Sequence, residues 1–517
     1  MRKFEGRIMC SLESLRLADA YPHHVETAIE VIETHISWVF LAGDFAYKIK
    51  KPIKNGFLDY TSLELRKRFC QAELRLNQRF AKDLYLGVVA IVNDHGQLRI
   101  DGSGEPIEYA VKMKRFPADA LLSHRLDHGL VTLHDVRQLA SRIADFHKFA
   151  AKAETSTRFG SPELVYQETL DNLQEIAKSK IDRLSDMLAS LRHWTETQYT
   201  SHQENFMSRK LGGHIRECHG DLHLSNIVQW QNNLIPFDGI EFCDEFRWID
   251  TLSDAAFTAM DFAARGRIDF CHSFCNAYFE ATGDYEAIPV LNWYLVYRAM
   301  VRAKVASLRF AQTESNSLDH AKAEADVETL VTLAKQLSDT SNVQPCLWIT
   351  SGVSGSGKTT GSEQIVQQNG AIRIRADVER KRLAGLKPVD RLTHNNESLG
   401  MLYSDEMNSR TYLRLAELAE QVIRAGTTVI VDATFLVKLQ RTVFADLAHR
   451  LQVPFHILAF RADPEVLRHR ITNRMAENKD ASDADLAVLE SQLKNQQHLD
   501  ADERKLATLY DTKGNPR

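Results

Sequence analysis

Residues 352–359 read Gly352-Val353-Ser354-Gly355-Ser356-Gly357-Lys358-Thr359, with Thr360 following. An apolar stretch, Cys346–Thr350, precedes them, and a helical pattern comes after. Glycines at these places leave room for backbone N–H groups to turn inward around an anion, which a side chain would block. The helix that follows presents the positive end of its dipole to the same point. Lys358 then sets a point charge on the outer phosphate oxygens, and the Thr359 hydroxyl is a ligand for Mg²⁺. The stretch therefore predicts a nucleotide-binding P-loop, with Gly352, Gly355, Ser356, Gly357, Lys358, Thr359 and Thr360 contacting ATP.

Working outward, strand-like runs recur at Cys346–Thr350, Ala371–Arg375, Thr428–Val431 and Phe455–Phe460, separated by helical segments. That alternation predicts a parallel sheet with crossover helices. Asp377 follows the second strand and Asp432 the third. Carboxylates at the C-terminal ends of parallel strands face the ligand crevice, where one activates an attacking hydroxyl and the other supports Mg²⁺. Arg470 and Arg474 lie one helical turn apart and suit a lid over the transferring group. These residues resemble the P-loop kinases that include polynucleotide kinase, gluconate kinase, chloramphenicol phosphotransferase and the zeta toxins, over about 344–500. The resemblance implies that Asp377 is the base for an acceptor hydroxyl and that Arg380 positions the substrate.

Upstream, the pattern changes. Strand-like alternation at 29–35, 38–41, 46–49, 86–92 and 107–113 surrounds a helical stretch at 63–80, and mostly helical sequence follows from Leu133. Within it stands His219-Gly220-Asp221-Leu222-His223-Leu224-Ser225-Asn226, and about a dozen residues later Asp238-Gly239 closes a short apolar strand. This set divides the labour of phosphoryl transfer: Asp221 takes the hydroxyl proton, while Asn226 and Asp238 bind Mg²⁺. The motifs resemble the aminoglycoside phosphotransferase superfamily, with choline and fructosamine kinases as relatives, over about 25–335. The resemblance implies an α+β protein-kinase-like bilobal fold and an ATP lysine. Lys48 is favoured and Lys50 competes, since both share a strand face with Ala46. Glu73 is the expected ion-pair partner of that lysine, with Glu64 as alternative. The order of parts resembles a bacterial two-domain family of aminoglycoside phosphotransferase-like/P-loop ATP-binding proteins. The expected division is 1–337, a linker at 338–345, and an α/β P-loop domain at 346–517.

Composition is that of globular material. The 517 residues are 44% hydrophobic and 26% charged, with a formal net charge of -5. This argues against a polybasic membrane anchor or a nucleic-acid coat. No apolar run approaches the roughly 18 residues needed to span a bilayer, and the N-terminus lacks a secretion signal's apolar core. The 7 cysteines are scattered, which suits a reducing cytoplasm. Cys271 and Cys275 flank His272 at helical spacing; a buried helix face is expected there rather than a metal site. The reading is a bifunctional kinase acting on hydroxyls of small sugar- or nucleoside-like metabolites. A nucleic-acid 5′-hydroxyl kinase is less favoured because no stacking aromatic accompanies Arg468, Arg470 and Arg474. A regulatory ATP-binding protein with one inactive half is the third reading. Neither acceptor has a readable code.

Overall fold

The computed structural model describes residues 12–56, 58–339, 344–388, 390, 402–477 and 485–510, the side chains of 474–477 excepted. The chain forms two compact units, one of residues 1–165 with 206–261 and the other of 166–205 with 262–517. These limits differ from the boundary expected at 338–345, of which residues 340–343 lie outside the described residues.

In the first unit, alternation builds an antiparallel sheet. Its strands lie side by side in the order Glu30–Glu33, Ser37–Ala42, Phe45–Lys50, Pro106–Lys114, Tyr85–Asp94 and Gln97–Ile100. Every strand-like run expected here falls on one of them. Gln97–Ile100 escaped notice because it is short; it returns from Tyr85–Asp94 through His95 and Gly96, both at positive φ (51° and 92°), the geometry of a two-residue hairpin turn. From Phe45–Lys50, Tyr47 and Ile49 enter a core with Trp38, Phe40, Ile91 and Ala110. Ala46 belongs to the opposite core, with Cys70, Tyr85, Val111 and Met113. Period-two geometry puts Lys48 and Lys50 on this second face.

The helix Leu63–Ala81 covers that face. It starts where the Ser62 side chain accepts the backbone N–H of Leu65, and it buries Arg66, Cys70, Glu73, Asn77 and Ala81, a stripe at three- and four-residue spacing. Three of those residues are polar, so burial obliges each to find a partner. Arg66 meets Glu108 at 2.8 Å, and Asn77 Oδ1 accepts the Gly239 N–H at 2.8 Å. Glu73 takes two lysines, described below.

The second unit carries the P-loop. Five parallel strands lie in the order Ile372–Arg375, Val429–Asp432, Leu347–Ser351, Phe455–Phe460 and Ala507–Tyr510. The last of these was not anticipated from sequence, because its residues are half exposed and show little alternation. All four residues of Val429–Asp432 are buried, as in a strand covered on both faces. From the central strand Leu347–Ser351 the chain goes first to one edge and later to the other side, which opens a crevice at the strands' carboxyl ends.

Candidate active sites

In the first unit, a hairpin explains why residues twelve positions apart come together. Ile227–Trp230 pairs with Asn233–Pro236 through Gln231 and Asn232, both at positive φ. The chain returns beside its start, and the Phe237 N–H reaches the Asn226 carbonyl at 2.9 Å. Asn226 Nδ2 donates to Asp221 Oδ2 at 2.9 Å and to the Asp221 carbonyl at 3.0 Å, leaving the amide oxygen as the atom for a cation. Burial holds the His219 imidazole below its usual pKa, against the pull of Asp254 and Asp221, so the ring is neutral. Its Nε2–H donates to the Phe237 carbonyl at 2.9 Å while Nδ1 accepts the Asp221 N–H at 3.3 Å. One ring thus ties the loop of Asp221 to the loop of Asp238.

A second carboxylate braces the same loop. Asp254, fully buried, accepts the backbone N–H of His219 at 3.0 Å and of Gly220 at 2.9 Å, and meets His147 Nε2 at 3.1 Å. Asp250 receives Arg209 Nε at 2.6 Å and Nη2 at 2.7 Å. Asp254 therefore fixes the backbone of the loop at His219 and Gly220. Gly220 (φ +88°) is required there, since a Cβ would sit 2.5 Å from the Phe246 carbonyl oxygen.

Lys48 and Lys50 divide the two oxygens of Glu73. Lys48 Nζ lies 2.9 Å from Oε1 and also contacts Asp238; Lys50 Nζ lies 2.7 Å from Oε2 and also contacts Glu241. Tyr60 donates its hydroxyl to Glu241. Of the two, Lys48 is the one that joins Asp238, whereas Lys50 is fully enclosed. Glu64, the alternative partner, makes neither contact. Burial alone would raise the Glu73 carboxyl, but Lys48 and Lys50 outweigh it and hold it at about 2, below the ordinary 4.5. Because the folded value is depressed, this contribution to stability is fully present above about pH 4.5 and is lost as pH falls through about 2. Glu73→Gln leaves two buried ammonium groups short of a counter-charge. It is expected to cost about 3–5 kcal/mol in urea unfolding near neutral pH and to flatten the acid limb of the stability curve.

In the second unit, the crevice is a cavity of about 640 Å³, lined by Ser354, Gly355, Gly357, Lys358, Thr359 and Thr360 from the P-loop. Asp377, Arg380, Asp432 and Arg470, separated by up to 93 positions, line it too. Two of the P-loop residues expected to contact nucleotide do not line it. Gly352 and Ser356 support the turn instead: a Cβ on Gly352 would lie 2.5 Å from the Phe460 carbonyl oxygen and 2.7 Å from Ser356 Oγ, and Ser356 is fully buried. Gly355 and Gly357 hold the left-handed backbone that turns the loop, at φ +80° and +98°.

The donor set suits a magnesium–triphosphate. Thr359 Oγ1 lies 3.2 Å from Asp432 Oδ2, a hydroxyl and a carboxylate side by side. Lys358 Nζ donates to the carbonyls of Gly352 and Val353, each at 2.9 Å. Arg470 Nη1 donates to the Gly355 carbonyl at 3.1 Å, so this arginine lies over the loop; the side chain of Arg474 lies outside the described residues. Arg380 Nη1 meets Asp377 Oδ1 at 3.2 Å and Nη2 donates to Asn408 Oδ1 at 3.0 Å. Its buried Nε has no hydrogen-bond partner among the described residues. Tyr403, beneath the Arg380 guanidinium at 4.9 Å, and Tyr412 complete this end. Sequence reasoning missed Tyr403, Asn408 and Tyr412, which sit in no motif.

No helix among the described residues is long and apolar enough to cross a membrane, and the six described cysteines are all free.

Residues 347–499 match the family described as AAA domain. Among solved structures, an ethanolamine kinase of Plasmodium vivax is 11% identical, covering 63% of this chain and 87% of that one at a TM-score of 0.39. A gluconokinase of Sinorhizobium meliloti is 19% identical over 33% of this chain and 83% of its own, at a TM-score of 0.23. An uncharacterized protein of Mycobacterium tuberculosis (strain ATCC 25618 / H37Rv) is 30% identical over 472 residues, 90% of either chain, and one of Mycobacterium bovis matches to the same extent. The chain belongs to the family of these mycobacterial proteins.

Proposed function

We propose that this protein is a bifunctional ATP-dependent phosphotransferase, each half passing the γ-phosphoryl group of ATP to a hydroxyl of a small sugar- or nucleoside-like metabolite. The catalytic groups of one reaction fall within residues 1–337 and those of the other within 346–517. The observation that carries the reading is the shared cavity of Lys358, Thr359, Asp377, Arg380, Asp432 and Arg470. Phosphoryl transfer is largely positioning and charge stabilisation, and this set provides for both.

In the C-terminal half, the amides of Gly355–Thr360 and the Lys358 ammonium hold the phosphates. Thr359 and Asp432 would hold magnesium. Asp377 takes the proton of the acceptor hydroxyl, with Arg380, itself held by Asn408, setting its orientation through a hydrogen bond. Arg470, with Arg474 one turn further on, neutralises charge on the departing group. In the N-terminal half, Asp221 takes the proton, and its bond to Asn226 fixes the carboxylate's direction. Asn226 and Asp238 would hold magnesium, and Lys48, held by Glu73, reaches the phosphates. When bound, magnesium spreads the negative charge of the transferring group.

The test is a panel of sugars, sugar acids, amino alcohols, nucleosides and a 5′-hydroxyl oligonucleotide, incubated with γ-labelled ATP and the full chain. Label is expected on at least one small hydroxyl compound, lost in Asp221→Asn or Lys358→Ala. Label on the oligonucleotide alone would overturn the small-metabolite assignment, and label on nothing would favour the regulatory reading.

A further inference from the structure

The helix Ile268–Thr282 carries Cys271, His272 and Cys275, the residues whose spacing had raised the question of a metal. In the second unit this helix instead lies along the edge strand of the P-loop sheet. An exposed sheet edge presents unpaired N–H and C=O groups, and Asn276 satisfies two of them. Its Oδ1 accepts the Arg373 N–H at 2.7 Å and its Nδ2 donates to the Ala371 carbonyl at 2.9 Å. His272 Nδ1 meets the Gln367 carbonyl at 2.9 Å, at the far end of the helix Lys358–Asn369. Burial keeps the His272 imidazole below its usual pKa, so the neutral ring donates here. Glu280, one turn beyond Asn276, pairs with Arg375 at 3.2 Å.

The contact does not stop at the strand. Arg373, anchored by Asn276, is buried and turns inward. Its Nη1 donates to the Thr359 carbonyl at 2.9 Å and to Ser362 Oγ at 3.2 Å, and its Nη2 lies 2.9 Å from Glu363 Oε2. Ser273 reaches the other Glu363 oxygen at 3.2 Å. Ser362 Oγ in turn lies 3.5 Å from Asp432 Oδ2, the oxygen that accepts from Thr359. A chain of buried polar contacts thus runs from Asn276 through Arg373 to Thr359 and Asp432.

We infer that Asn276 is a positioning residue for the C-terminal site, acting through Arg373 to hold Thr359 and Asp432 in register for magnesium. This rests on the reading of that cavity as a magnesium–nucleotide site. It follows that the P-loop site is completed by a helix about 80 residues upstream of its own motif, on the other side of the 338–345 seam. Losing the Asn276 amide frees the backbone of Arg373 and loosens the guanidinium, so the cost falls on metal affinity before it falls on the fold.

The test uses the full chain with Asp238→Asn, so that magnesium-dependent nucleotide binding reports the P-loop alone; asparagine tolerates the positive φ of 62° at that position. Binding of a fluorescent ATP analogue is titrated with Mg²⁺. Asn276→Ala, which removes two buried hydrogen bonds to the strand, is expected to raise the half-saturating Mg²⁺ concentration about tenfold. Asn276→Ser should shift it less, in the same direction. His272→Ala, which removes a contact remote from Thr359, should leave it unchanged while lowering Tm. An equal shift in His272→Ala, or none in both Asn276 variants, overturns the inference. Lys358→Ala is the control on the site itself: binding undiminished there refutes the nucleotide site, and the inference falls with it.

Discussion

Replacing Lys358 with alanine is expected to abolish phosphotransfer by the C-terminal half, by on the order of 10³-fold, while the N-terminal reaction continues at its parent rate. The ammonium now bonds the carbonyls of Gly352 and Val353, and it lies in the cavity beside Thr359 and Asp377. Exchanging those carbonyls for phosphate oxygens is a short movement that leaves the loop in place. Lys358 is only half-buried, so its loss should shift Tm little. Acceptor labelling from γ-labelled ATP, run with the acceptor of each half, reads both activities in one protein. A Lys358→Ala chain that keeps its C-terminal transfer would remove the basis for a catalytic P-loop, and one that loses both would show that the sites do not work independently.

Asp221→Asn should produce the mirror image. A positioned base contributes about 10²–10⁴-fold to such reactions, and asparagine keeps the shape while losing the proton-accepting charge. The fold should tolerate the change. The Asp221 side chain is partly exposed, at 37%, and the loop around it is held by backbone bonds to Asp254 and by the neutral His219 ring, none of which needs the Asp221 carboxylate. Nucleotide affinity should therefore persist as turnover collapses. Equal falls in affinity and turnover would mark Asp221 as a ligand for metal or nucleotide instead of the base. Unchanged turnover would identify the N-terminal half as a binding module.

The two candidate sites were legible for one reason: each is written in a short stretch of chain. A P-loop grips an anion with consecutive amides, so the glycines and the lysine of Gly352–Thr359 are adjacent in sequence. His219–Asn226 and Asp238 are joined by a hairpin whose two-residue turn at Gln231-Asn232 brings both ends together. The strand faces were legible too, because alternation puts Ala46, Lys48 and Lys50 on one side whatever packs there.

Other parts of the sites were settled only by packing. Nothing local says that Glu73 faces both lysines, that Glu241 and Tyr60 take the outer side of Lys50, or that Asp254 reaches back 34 residues to the Gly220 amide. Tyr403 and Asn408 join Arg380 because the helix Asp405–Arg424 and the turn before it converge with the helix Ala376–Leu383 on one cavity. Asn276 is the clearest case. Its amide satisfies a strand 97 residues away, and an asparagine in a helix otherwise carries no mark of its partner. Contiguous backbone can announce an anion site, because the ligand is gripped by neighbours in sequence. A buried side chain, by contrast, acquires its role from whichever distant group the fold delivers to within hydrogen-bonding distance.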